Sequence, residues 1–140
     1  MVSADFSGPT LVMLVLGVVI VFAVLFSVRV LYGAAAGVDT TRELAGKDNF
    51  AFGIGLAGMT LGVAIMLTGV AEGGYAGSIG EEASVLVVYA VLGLMLMWLT
   101  RMIFDRVSIP AFSVKAEIQN GNVPIAIVEA GNVLATAVMV

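Results

Sequence analysis

The chain contains no cysteine and no histidine, and only six of its 140 residues are basic. The first two absences exclude disulfides, thiolate nucleophiles, zinc sites of the usual kind and imidazole acid–base catalysis. Charge of either sign is scarce. Charged residues make up 11% of the chain, where a soluble domain has about a quarter. No glycine-rich phosphate loop leads into a Lys-Ser or Lys-Thr, no metal-ligand spacing is visible, and no nucleophile sits beside a base. The chain therefore reads as a non-enzyme with no catalytic residue, no cofactor, no metal and no nucleic-acid partner.

What is present is apolar. Hydrophobic residues account for 61% of the sequence and the mean hydropathy is +1.13. A domain of this size could not hide that much apolar surface in its own interior. Four runs, at about 11–28, 50–71, 83–100 and 123–140, approach the roughly 20 residues a helix needs to cross a bilayer core of about 30 Å. Gly8-Pro9 suits the start of the first. Arg29 and Tyr32 are expected at the membrane interface after it, with Trp98 in the aromatic belt and Arg101 snorkelling to the headgroups. The first run lacks a basic segment before it and a small-residue cleavage site after it, so it reads as a permanent span and not a signal peptide.

The few basic residues are segregated. Arg29, Arg42 and Lys47 follow the first run, and Arg101, Arg106 and Lys115 follow the third. The remaining polar segments bring Asp5, or Glu72, Glu81 and Glu82 in a glycine-rich connection, and no base. By the positive-inside rule both basic loops face the cytoplasm and both termini lie outside.

The chain also repeats itself. With Asn49 set against Asn122, seven of eighteen positions agree, among them Ala57-Gly58 with Ala130-Gly131. A shift one residue smaller pairs Arg29 with Arg101 and Tyr32 with Phe104, and Glu43 matches Glu117 with one residue of slippage from the asparagine alignment. Each unit is a helix, a basic loop and a second helix beginning at an asparagine. Two crossings per unit make the copies parallel. The expected architecture is all-α: one membrane domain over 1–140, with four transmembrane helices as two parallel repeats, about 9–71 and 83–140.

The stretch from Glu43 to Ala51, leading into a glycine-rich helix, and the stretch from Glu117 to Asn122, leading into another, resemble the YjfL-like family of bacterial inner-membrane proteins, which is filed as a domain of unknown function. Pro124 departs from the pattern, standing where the first copy has Ala51. The resemblance implies a small multi-pass inner-membrane protein without an established activity. Its members' gene neighbourhoods imply a role in envelope stress.

Three groups of residues stand out. Gly55, Gly62 and Gly69 recur every seven residues, Gly58 and Gly62 form a G-x-x-x-G, and Gly131 pairs with Ala135 in the fourth run. Small residues in such patterns let helices approach within or between subunits. Glu129 is an acid roughly 10 Å into the last helix, which must be neutral, paired or beside water. Asn122, Glu129, Asn132 and Thr136 fall within about 80° on the helical wheel. That polar stripe either joins helices or lines an ion route with Glu129 as its titrating site. Glu43, Asp48, Asn49 and Glu117 flank the basic loops, as caps for the helices beginning there or as a docking surface for a cytosolic protein. The leading expectation is a lipid-embedded, homo-oligomeric component of an assembly or of envelope stress, with or without a membrane or cytosolic protein partner. The alternative is a small ion channel or proton-coupled transporter using Glu129.

Overall fold

The computed structural model describes residues 8–72, 78–108 and 113–139. Five α-helices form in chain order: α1 (Gly8–Ala36), α2 (Phe50–Glu72), α3 (Ile79–Ile103), α4 (Val114–Gln119) and α5 (Val123–Met139). Short π-helical turns, Arg42–Gly46 and Phe104–Ser108, precede α2 and follow α3. There is no strand among the described residues. Asp5, Val140 and the middle of the acidic connection, residues 73–77, lie outside them.

α1, α2 and α3 are each long and apolar enough to cross a membrane. α5, with 17 residues, is apolar but shorter. α2 is the hub. It packs most extensively along α5 and also touches α1 and α3, while α3 bridges α1 and α5. Half of the apolar window of α2 is buried, against 6% for α1, so α1 presents most of its surface outward. The core runs between them, through Val28, Phe52, Val63, Met97, Ala126 and Val133.

The helices extend further than hydrophobic run length indicates. α1 continues past Val28 and Arg29 to Ala36, which carries Tyr32 inside the bundle. α3 starts at Ile79, so Glu81 lies in its first turn. There it completes a capping box with Ser78: Glu81 N donates to Ser78 Oγ at 3.4 Å and Ser78 N to Glu81 Oε2 at 2.8 Å.

The turns at the basic end follow from specific residues. α1 ends on Gly37, at φ +69°, with Gly37 N bonded to Ala34 O and Val38 N to Gly33 O, each at 3.0 Å. α4 ends the same way on Gly121, at φ +82°, through Gly121 N to Ile118 O and Asn122 N to Glu117 O. Both are Schellman closures, which need a residue that tolerates left-handed backbone. Asp48, at φ +50°, occupies the place before Asn49 that Gly121 occupies before Asn122. Asn49 N reaches back to Glu43 O, one residue further than Asn122 N reaches to Glu117 O. The π-helical turn at Arg42–Gly46 accommodates that additional residue, as π-bulges do.

The two basic connections pack onto one another. Gln119 Nε2 and Lys115 Nζ donate to Ala36 O and Ala35 O, at 2.7 and 3.1 Å, covering carbonyls at the end of α1. Asn49 Nδ2 donates in turn to Ile118 O and Gln119 O at the end of α4. Side chains from one connection thus satisfy orphan backbone groups of the other half.

Candidate functional site

Glu129 on α5 is 2% exposed, as buried as Glu43 in the loop before α2. Its Oε1 lies 2.5 Å from Nε of Arg101, near the end of α3, and its Oε2 accepts from Tyr32 Oη of α1 at 3.5 Å. Arg101 and Tyr32 are buried as well. The guanidinium carbon sits 4.5 Å from the centre of the Tyr32 ring, and that ring meets Phe52 of α2 edge-on at 5.1 Å. Glu129 Oε1 makes no well-angled hydrogen bond, so its link to Arg101 is close Coulombic contact. Asp105 stands four residues beyond Arg101, on the π-helical turn. Four helices thus contribute side chains to a single cluster.

This arrangement depends on glycine. A Cβ at Gly55 would overlap the Tyr32 hydroxyl and lie 3.3 Å from Glu129 Oε2. At Gly58 a Cβ would stand 2.5 Å from Ala130 Cβ and 2.8 Å from its Cα, so α2 and α5 could not pack at this separation with any larger residue. Gly62 faces Met97, Val133 and Ala137 at ordinary to tight distances. Gly69 and Gly131 face open space within the chain.

The other residues of the α5 stripe take separate partners. Asn122 caps the helix, accepting from Ile125 N at 3.4 Å and donating to Glu117 Oε2 at 2.7 Å. Thr136 Oγ1 donates back to the Asn132 carbonyl at 2.9 Å, the usual resting place for a helical threonine. The Asn132 amide nitrogen is buried without an acceptor among the described residues. Among the described side chains, only Glu129 of this stripe is engaged by α1 and α3.

At the loop, Asn49 is buried and caps α2 through Phe52 N at 3.0 Å. Its amide nitrogen also donates to Glu43 Oε2 at 3.1 Å. Lys47 Nζ lies 2.6 Å from Glu43 Oε1. That hydrogen bond, aided by the one from Asn49 and by the lysine charge, holds the Glu43 carboxyl below its usual range despite burial. Asp48 is exposed and makes the turn through its backbone.

Arg101 and Tyr32 were not among the residues the sequence singled out. Both stand at the end of an apolar run, where an interface position is the ordinary expectation. The signal was Glu129 itself: a buried acid in an apolar helix calls for a base at matching depth, and Arg101 is one of few.

The sequence profile of the family described as Domain of Unknown Function (DUF350) matches residues 4–140. No curated protein and no solved structure matches the chain.

Proposed function

The chain belongs to the DUF350 family, and we propose that it is a non-enzymatic integral membrane protein whose Glu129–Arg101–Tyr32 cluster clamps its helices into a subunit of a larger membrane assembly. One observation carries this reading. The intramembrane acid is held by groups from two other helices inside packed protein, where a conducting residue would face a water-filled route. A buried pair of this kind joins elements that lipid would otherwise leave without a hydrophobic reason to associate.

In this reading four helices span the membrane. α5 measures about 25 Å at 1.5 Å per residue, within the range of a short crossing. Repeat pairs α1–α2 and α3–α5 run parallel. The matched positive-φ turns at Asp48 and Gly121 and the matched Asn49 and Asn122 caps support that pairing. The basic connections lie at the cytoplasmic face of a bacterial inner membrane and both termini lie outside, by the distribution of Lys and Arg. Assembly is favoured by the outward surface of α1 and by Gly131, which nothing within the chain covers. The resemblance to inner-membrane relatives adds envelope stress as the setting.

Reconstitution into liposomes tests the proposal. Proton and potassium flux should be absent from the intact protein, and native mass spectrometry should find more than one copy of this chain or a second membrane protein. Flux abolished by Glu129→Gln would replace the clamp with an ion route.

A further inference from the structure

A groove of about 330 Å³ opens between α1 and α3, in the lower part of the range typical of ligand pockets. Its floor is formed by buried residues, Tyr32, Met59 and Arg101, and its walls by exposed ones such as Leu31, Ala35 and Trp98. The lining is apolar apart from its Arg101 and Tyr32 end. Neither Glu129 nor Asp105 belongs to it. Arg101 directs its Nε at Glu129, and its guanidinium also borders the groove. A second cation stands at the same end: Lys115 Nζ, exposed, is 3.1 Å from the carbonyl of Ala35, a wall residue, and makes that one hydrogen bond of its three donors among the described residues.

We propose that this groove is a binding site for an anionic phospholipid. One acyl chain lies along Leu31, Met59 and Trp98, and the phosphate accepts from Lys115 and from the outer nitrogens of Arg101. The occupant follows from the shape of the chemistry. An apolar trough opening toward the surrounding hydrocarbon and ending at two cations complements a molecule that is apolar along its length and anionic at one tip. Basic pockets between transmembrane helices recognise anionic headgroups in this way. A water-soluble anion would leave the apolar wall bare, and a lipid without net charge would leave the Lys115 ammonium without a net counter-charge, Arg101 being already paired with Glu129. The site rests on the membrane-spanning reading given above.

Trp98 is the single tryptophan and lines the groove, so it reports occupancy directly. The intact chain is reconstituted in phosphatidylcholine vesicles containing dibrominated phosphatidylglycerol or, separately, dibrominated phosphatidylcholine, and Trp98 fluorescence is followed against mole fraction. Half-maximal quenching by the anionic lipid should come at about fivefold lower mole fraction, the factor expected from one basic residue near the surface. Lys115→Gln should abolish that preference. Ala34→Phe, on the exposed wall, should reduce quenching by both lipids, with helicity by circular dichroism unchanged in each variant. Soluble glycerol phosphate should not compete. Equal quenching by the two lipids, a preference that survives Lys115→Gln, or displacement by glycerol phosphate would each overturn the site. Quenching by neither lipid would overturn the membrane-spanning reading with it.

Discussion

Arg101 Nε and Glu129 Oε1 meet at 2.5 Å with both residues buried, tying the end of α3 to the first half of α5. A charge pair in such surroundings is costly to form and more costly to break by halves, because the survivor is left without a counter-charge. Arg101→Met should therefore destabilise the folded protein by about 3–5 kcal/mol. Adding Glu129→Met should recover most of that loss. A double-mutant cycle from unfolding in mild detergent measures the coupling, and strictly additive losses would show that the pair does not hold the helices together.

The apolar runs, the basic segments and the glycine-rich helix were all legible before any fold was drawn, because lipid solvation imposes length and sidedness on sequence directly. The partnership of Glu129 was not. Arg29 and Arg101 align in sequence at a shift of 72 residues, yet Arg29 is exposed and donates to Thr41 while Arg101 turns inward. What separates them is a residue far away in sequence: α5 brings Glu129, where the aligned position of α2 has Leu56. Helical periodicity carries no information of that kind. Tyr32 is buried for a local reason: the end of an apolar run is not the end of a helix, and α1 continues to Ala36 on alanines and a closing glycine.

Glycines at similar positions should differ sharply in their tolerance. Gly58→Ala forces a Cβ against the backbone of Ala130, where no flexible side chain can yield, and should cost about 1–3 kcal/mol. Gly131→Ala meets nothing within the chain and adds helix propensity, so the single subunit should be unchanged or more stable by up to about 1 kcal/mol. Thermal unfolding of both variants in detergent, with subunit mass followed in parallel, separates packing inside the chain from packing between copies.

The two capping asparagines should likewise rank unequally. Asn122→Ala removes a long hydrogen bond to Ile125 N and one to Glu117, which places its cost near the ordinary loss of a cap, about 1 kcal/mol. Asn49→Ala removes a shorter cap and also leaves Glu43, the Ile118 carbonyl and the Gln119 carbonyl without their shared donor. Buried acceptors stripped of partners add roughly 1–3 kcal/mol. Chemical unfolding should order the two variants with Asn49→Ala clearly the worse, and equal losses would mean that the bridge between the connections contributes little.

Glu43 gives the fold an acid-sensitive joint. Its carboxyl is held below the usual range chiefly by the hydrogen bond from Lys47, so the unfolded chain takes up a proton at a higher pH than the folded one. Stability from this group is complete above the unfolded glutamate value of about 4.3, declines as pH falls below it, and is gone once pH passes the lower folded value. Glu43→Gln keeps an acceptor for Asn49 and removes the titration. Measured in mild detergent from neutral pH to about pH 3, the wild type should exceed the variant by a constant margin at the upper end and converge on it at the lower. Parallel curves across that range would show that the Lys47–Glu43 contact contributes no net stability.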